Sequence, residues 1–476
     1  MTGTRKTTFA VCFGNRGFFP ASLQSQARAE MRTTLESLGH EVLMLDEDAT
    51  PHGAVETPEH GRTFARFLRE HEGAVDGVIL CLPNFGDENG AVAALKDANV
   101  PILVHAYPDE LTAMAPEKRR DAFCGKFSIM DVFCQHGIRF TALEPHVVAP
   151  GTEAFARNID HFDRLCRVVG GMREMTLGAV GARTTAFKTV RIDELALQSH
   201  GIDTETIDLS EVFARINALD TAGDAYAAKR ERLASYASWD GVPDEALSTL
   251  TKLGVVIDEL ILEYRMDALS IRCWIEMQQQ LKISPCVLLS ELNDRGIPTA
   301  CELDLGNALT MRALRLATDG PAACLDWNNN YGADESKCIL FHCGPVPTSM
   351  MTARGTIRDH AILANAVGEG CSWGCNTGRI APGAFTFASA RTDAGRIRCY
   401  LGEGAFTADP IPDDFFGCAG TAQIDGLQQT LRRIGLDGFR HHVSVSRGSV
   451  GPVLREAFER YLAYDVLQPQ TTQAVA

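Results

Sequence analysis

The sequence predicts an α/β protein in which two doubly wound, Rossmann-like domains precede a β-rich, barrel-like C-terminal domain. Three observations carry that expectation. Short apolar runs alternate with helical patterns from the N-terminus onward, as expected of buried parallel strands with helices on both faces. The alternation restarts near Met175, and beyond Met351 it gives way to Gly- and Thr-rich segments with alternating apolar residues, which suit antiparallel strands. At 476 residues the chain also exceeds what one core supports, since a domain typically holds about 150 residues. The expected domains are 1–172, 173–351 and 352–476.

In the first domain "FAVCFG" reads as a strand, followed by a helix over 20–39, the strand "HEVLMLD" and a helix over 63–72. Next come "GVILCLPNF", a helix over 89–98, "VPILVHAYP" and a helix over 119–137. Doubly wound sheets bind ligands where loops leave the carboxyl ends of strands, which singles out "GNRGFFP" and "PNFGDENG". The first is not G-x-G-x-x-G, and no acidic residue stands where a ribose would need one, which disfavours a dinucleotide. The second domain opens with "MTLGAVGART" and continues through a helix over 190–201, "DTETIDLS", a helix over 211–218 and a charged, Ala-rich helical stretch over 221–245. "GVVIDELILEYRMDALSIRCWIEMQQQ" then reads as one long helix or as a helix and a strand. In the last domain "GRIAPGAFTFASARTDAGRIRCYLGEGAF" reads as antiparallel strands, with one helix over 452–462 against them.

A formal charge of −16 and a pI near 5.3 argue against a nucleic-acid partner, which needs clustered Lys and Arg to displace counterions. No stretch approaches the roughly 18 to 20 apolar residues of a membrane span, and the N-terminus lacks a cleavage pattern, so the cytoplasm is the expected location. The 15 cysteines read as reduced thiols, many packed as small hydrophobes. Cys371 and Cys375 have no second pair at zinc-finger spacing.

The densest polar constellation spans "ELNDRGIPTACELDLGNALTM" to "KCILFHCGPVP". Glu302 with Asp304, then Asp326, then His342 end three successive apolar segments and are expected to converge on one edge of a parallel sheet. With an imidazole from His342, or from His441–His442 in "DGFRHHVSVSRG", Glu302 and Asp326 make a set suited to Mn²⁺, Mg²⁺ or a similar divalent ion. The plainer alternatives are that Asp326 caps a helix and that the histidine pair is exposed. Cys343 has no acid or second histidine nearby in sequence and reads as a packed neighbour of His342, not a nucleophile.

"CLPNFGDENG", "RRDAFCGKFS", "GAVGARTTAFKTVRIDELALQSHGI", "CELDLGNALTM", "LFHCGPVP" and "GFRHHVSVSRG", in this order, resemble the L-fucose isomerase and L-arabinose isomerase superfamily, in its fucose-isomerase-like branch. The resemblance runs over nearly the whole chain. It implies two α/β domains before a β-rich one, a divalent cation (Mn²⁺, or another such as Mg²⁺ or Co²⁺), aldose–ketose interconversion through a cis-enediol, and a homo-oligomer such as a hexamer. Carried over by motif, Glu302 and Asp326 become ligands and acid/base groups, and His442 the third ligand, with His441 as its alternative. His342 either binds metal, as in the arabinose-isomerase relatives, or lines the sugar pocket. Leu303 departs from the Gly that relatives commonly carry between these acids, and "DWNNNY" departs from their more acidic continuation.

Candidates for sugar recognition are Arg16, Asn84 and Glu88 in the first-domain loops, and Trp274 and Glu276 in "RCWIEMQQQ". Arg16 alternatively caps a helix and Trp274 alternatively belongs to the core, while Gly86 and Asp87 shape a turn. The substrate class is then a pentose, a 6-deoxyhexose or a 6-substituted hexose such as sulfoquinovose, whose anion Arg16 would meet. The competing class is a non-catalytic sugar-binding or regulatory protein.

Overall fold

The computed structural model describes residues 6–467. Packing divides the chain into two compact units between Gly170 and Gly171. The N-terminal unit holds β1 (Thr8–Gly14), β2 (Glu41–Met44), β3 (Ala54–Val55), β4 (Gly77–Leu82) and β5 (Ile102–Ala106). They form a parallel sheet in the order β2-β1-β4-β5, with β3 also beside β1. Every residue of β1, β4 and β5 is buried, so apolar runs without alternation are what this sheet requires. Its helices include Ser22–Ser37, Pro58–Glu70, Glu88–Leu95 and Ala122–Gln135. The second begins earlier than expected because Thr57 Oγ1 accepts from His60 N–H and Pro58 supplies a preset first turn. The strand order reverses between β1 and β4, the position where such sheets open a crevice.

The second unit begins with a parallel sheet of β6 (Met175–Val180), β7 (Ile202–Ile207), β8 (Ala268–Ile271) and β9 (Thr299–Cys301), ordered β7-β6-β8-β9. The ambiguous stretch before Trp274 resolves into the helix Asp244–Glu263 and β8. After β9 the chain enters a nine-stranded sheet. Its strands are β10 (Ala322–Tyr331), β11 (Asp334–His342), β12 (Thr356–Asp359), β13 (Trp373–Arg379), β14 (Gly383–Asp393), β15 (Arg396–Phe406), β16 (Cys418–Gln423), β17 (His442–Arg447) and β18 (Asp465–Leu467). Added pairing of β15 with β16 closes β16, β11, β10, β17, β14 and β15 into a ring, the barrel-like part of the fold. Phe385, Phe387, Tyr400 and Phe406 fill its core.

One expectation is corrected here. Asp326 and His342 do not lie on a parallel sheet edge: β10 and β11 form an antiparallel hairpin, and β10 also pairs antiparallel with β17. Buried apolar runs look alike in both sheet types, and the deciding signal is the turn, where Tyr331 faces Asp334 across Gly332 at φ 57°. The β-rich layer therefore starts at Ala322. Two further helices, Ala361–Val367 and Leu427–Leu436, also accompany it, and the expected helix over 452–462 is Gly451–Glu456 followed by a π turn.

The helix Leu305–Thr318 is the joint of this unit. It packs against β6, β8 and β9 on one side and β10, β14 and β17 on the other. A Cβ on Gly306 would stand 2.3 Å from Ala390 O and 2.8 Å from an Arg440 nitrogen, so only glycine admits that approach. Among the described residues no helix is long and apolar enough to cross a membrane.

Candidate metal centre and sugar pocket

Glu302 follows β9 directly, where the parallel sheet ends. Glu302 and Leu303 both take left-handed backbone conformations, φ 61° and 62°. For non-glycine residues each costs roughly 1–3 kcal/mol, a strain that persists only where the surroundings impose it. Asp304 then caps the joining helix, accepting from Asn307 N–H at 3.0 Å.

Asp326 stands within β10, so it caps no helix, and the antiparallel register sets it opposite His442 on β17 and Phe341 on β11. That register brings together residues remote in sequence. His442 Nε2 lies 2.8 Å from Glu302 Oε2 and 3.4 Å from Asp326 Oδ1. Its other nitrogen, Nδ1, is 2.8 Å from Asp304 Oδ2. Asp304 is fully buried and is also bonded to Arg440 and to Asn307 Nδ2 at 2.7 Å. Burial alone would raise the Asp304 carboxyl, but Arg440 and His442 hold it well below the usual carboxylate range. A carboxylate at Nδ1 fixes the imidazole so that Nε2 faces Glu302 and Asp326.

His342 is oriented the opposite way. The Cys343 backbone N–H donates to its Nδ1 at 2.9 Å, so in the neutral ring the proton sits on Nε2. His442 can thus present a lone pair where His342 presents a donor. Three buried atoms here lack an aligned hydrogen-bond partner: Asp326 Oδ1, His342 Nε2 and His442 Nε2. Candidate ligand atoms of Glu302, His342 and His442 lie within 4.8 Å of one another, as do those of Asp326, His441 and His442. His441 is half exposed, its Nε2 3.8 Å from Asp326 Oδ1. Burial lifts the Asp326 carboxyl against the pull of His342 and His442, whereas at Glu302 the bond to His442 outweighs burial and holds the carboxyl down.

A cavity of about 360 Å³ opens onto this set, lined in part by Trp274, Glu302, Asp326, Asn328, His342 and Leu363. Trp274 serves both readings given for it: it packs on the core of the parallel layer, and its Nε1–H donates to Glu302 Oε1 at 2.9 Å. Glu276 instead accepts from Arg272 at 2.5 Å and is absent from the cavity wall. Phe187, which sequence reasoning passed over, sets its ring 5.9 Å from Trp274 and 5.6 Å from His442. It lies in the loop after β6, beside the strand-order reversal of that sheet, and that rule would have found it.

Arg16, Asn84 and Glu88 belong to the N-terminal unit, the first two in loops at the carboxyl ends of β1 and β4 and Glu88 at the start of the helix Glu88–Leu95. Arg16 does not cap a helix: its Nε donates to Gly86 O at 2.7 Å, its Nη2 binds Glu88, and its guanidinium lies over Phe85 at 4.6 Å. Glu88 also accepts from Ser128. Asn84 is fully buried, accepts from Arg16 N and Gly86 N, and donates to Asn15 Oδ1 at 2.8 Å.

Residues 10–173 match the family description "fucose/sulfoquinovose isomerase, N-terminal domain", and residues 340–468 match "L-fucose isomerase, C-terminal domain". The second match takes in His342 and His442, while Glu302 and Asp326 fall between the two. The chain is similar to the sulfoquinovose isomerase of Alkalicoccus urumqiensis, 22% identical over 396 residues, covering 82% of this chain and 85% of that protein. It is also 23% identical to the sulfoquinovose isomerase of Priestia aryabhattai over 274 residues, 57% of this chain, so that it spans 59% of that relative's length. A sulfoquinovose isomerase from Clostridium sp. (strain MSTE9) is 24% identical over 307 residues, 63% of this chain and 66% of that protein.

Proposed function

We propose that this chain, which belongs to the L-fucose isomerase and L-arabinose isomerase superfamily in its fucose-isomerase-like branch, is a metal-dependent aldose–ketose isomerase whose substrate is a 6-substituted hexose of the sulfoquinovose type. One observation carries the reading. Glu302 and the buried Asp326 line a sugar-sized cavity, Asp326 Oδ1 lacks an aligned hydrogen-bond partner, and His442 Nε2 lies 2.8 Å from Glu302 Oε2 and 3.4 Å from Asp326 Oδ1. The donor set of two carboxylates and one imidazole fits a small divalent cation such as Mn²⁺, Mg²⁺ or Co²⁺, and Glu302, Asp326 and His442 would hold it. When bound, such an ion would supply Lewis-acid polarisation of the sugar's first two oxygens.

The remaining work falls to the chain's own side chains. An aldose becomes its ketose when a proton leaves C2 and one arrives at C1, while another passes between the oxygens. Glu302 and Asp326 move those protons, as acid and base. The Trp274 indole N–H holds Glu302 in place. His342 donates from Nε2 to a sugar oxygen as negative charge develops there. Trp274 walls the pocket, and the Phe187 ring packs edge-on against it. Asn84 and Glu88 hold the loop that carries Arg16.

We place the reaction in the cytoplasm and assign it to a homo-oligomer such as a hexamer. The neighbouring Phe123 and Phe127 are 53% and 54% exposed on the N-terminal unit, as surfaces buried by association are. Light scattering measures that state, and a monomer at assay concentration contradicts it.

Metal-stripped protein incubated with a panel of aldoses, then given Mn²⁺, Mg²⁺ or Co²⁺, is expected to form ketose, most rapidly from sulfoquinovose. No ketose from any sugar with metal restored would return the chain to the class of sugar-binding proteins. Arg16→Ala is expected to weaken binding of the sulfonated sugar more than that of fucose. The reverse order would remove Arg16 from anion recognition.

A further inference from the structure

Part of the cavity wall is sulfur. Cys286 opens the helix Cys286–Asp294, Cys343 follows β11, and Cys375 lies in β13. The Cys286 and Cys343 sulfurs are 3.6 Å apart, and Cys375 Sγ is 4.0 Å from Cys286 Sγ. Cys286 and Cys343 both line the cavity. Cys343 is half-buried, whereas Cys286 and Cys375 are buried. A Cβ on Gly344 would come within 3.1 Å of Cys286 Cβ, so the backbone after β11 runs hard against that helix. The packed neighbour expected from the sequence thus has thiol partners, from segments far away along the chain.

We infer that Cys286 and Cys343 are an oxidisable dithiol, which a small hydroperoxide entering the cavity converts to a disulfide that disables the sugar site. Cys343, the more accessible sulfur, attacks one peroxide oxygen. An S–O bond forms, the O–O bond breaks, and water leaves. The Cys286 sulfur then attacks Cys343, the S–S bond forms, the S–O bond breaks, and a second water leaves. Two thiols have lost two hydrogens and two electrons to one hydrogen peroxide. The sulfurs must close from 3.6 Å to about 2.05 Å.

The consequence follows from the neighbouring residue. His342 Nδ1 accepts from Cys343 N–H and lies 3.2 Å from Cys343 Sγ, so drawing Cys343 toward the helix turns the imidazole that faces the cavity. A displacement of about 1 Å at a reacting site costs on the order of a hundredfold in turnover. That effect rests on the isomerase reading. The bridge itself does not.

The test uses full-length protein, reduced, freed of reductant and titrated with hydrogen peroxide. Peptide mapping is expected to show a Cys286–Cys343 linked peptide two hydrogens lighter than its parts, forming before oxidation of the exposed Cys124 and Cys134. Ketose formation is expected to fall by about a hundredfold with the bridge and to return with dithiothreitol. In Cys286→Ser the bridge is expected to vanish and dimedone to label Cys343. Oxidation confined to Cys124 and Cys134, a bridge from Cys286 to Cys375, or a bridged protein with undiminished turnover would each overturn the proposal. If untreated protein forms no ketose, the isomerase reading fails, and mapping of the wild-type chain still decides the dithiol. The same mapping decides it if the variant does not fold.

Discussion

Two polar clusters at strand ends, one in each unit, differ in whether they are complete. Around Arg16, Asn84 and Glu88 the hydrogen bonds close on one another: Arg16 on Glu88 and Gly86, Glu88 on Ser128, Asn84 on Asn15. Around Glu302, Asp326 and His442 they close only in part: His442 Nε2 lies 2.8 Å from Glu302 Oε2, whereas Asp326 Oδ1 and His342 Nε2 are buried without an aligned partner. An unpaired buried polar atom costs about 1–3 kcal/mol, so a cluster of them in one cavity is best explained by a ligand that completes it. The lesson is that strand-end position nominates a site, whereas incomplete pairing marks where a ligand is needed to complete it.

The contrast is broken most severely by altering the incomplete cluster. Glu302→Gln or Asp326→Asn is expected to lower ketose formation by about 10²–10⁴-fold while the melting temperature stays near wild type. Loss of activity accompanied by unfolding would make these residues structural. Next in size, Asp304→Asn should weaken divalent-ion binding by about 10–100-fold in calorimetric titration, because it loosens the tautomer and direction of His442. Unchanged affinity would reduce Asp304 to a helix cap.

His105 sharpens the comparison, because its Nε2 is also buried and unpartnered yet faces the rings of Tyr107 and Phe155. Burial, aided by Lys126, holds its pKa down at about 3. Between the unfolded value of about 6.5 and the folded one, only the unfolded chain takes up this proton. Stability from the neutral ring is therefore full above about pH 6.5 and lost as pH falls, by about 1.4 kcal/mol per pH unit. Melting of the N-terminal unit at pH 7 and pH 5.5 should show this loss, and His105→Phe should remove its share. Equal loss in the variant would put the acid sensitivity elsewhere.

The smallest effect is expected in the closed cluster. Glu88→Gln leaves Arg16 with only the more distant Asp87 carboxylate, 4.0 Å away, and should destabilise the N-terminal unit by about 1 kcal/mol, read from denaturant midpoints. A loss of ketose formation as large as that of Glu302→Gln would show that this cluster too takes part in the chemistry.

Much of the site was legible because it is written in short segments. Glu302 within "CELD", Asp326 ending "PAACLD" and the pair His441–His442 each carry their own local signal. Asp304 was read only as a polar strand end, because its partners Arg440 and His442 come from a segment 136 and 138 residues away. The hairpin of β10 and β11 was misread as parallel, since a buried apolar run has the same composition in either sheet. Its turn at Gly332 was the overlooked clue.

The sequence by itself determined the layered α/β and β-rich plan, the acidic and imidazole inventory and the family, because periodicity, turn residues and motif order are local properties. Only the tertiary structure decided what Nδ1 of His342 and of His442 is bonded to, that Asp326 meets His442 across an antiparallel pair, and that Cys343 has Cys286 at its side. Those facts depend on strand register and on helix-to-sheet packing. Both are set by the sum of many weak contacts along the whole chain, so no short stretch of sequence carries them.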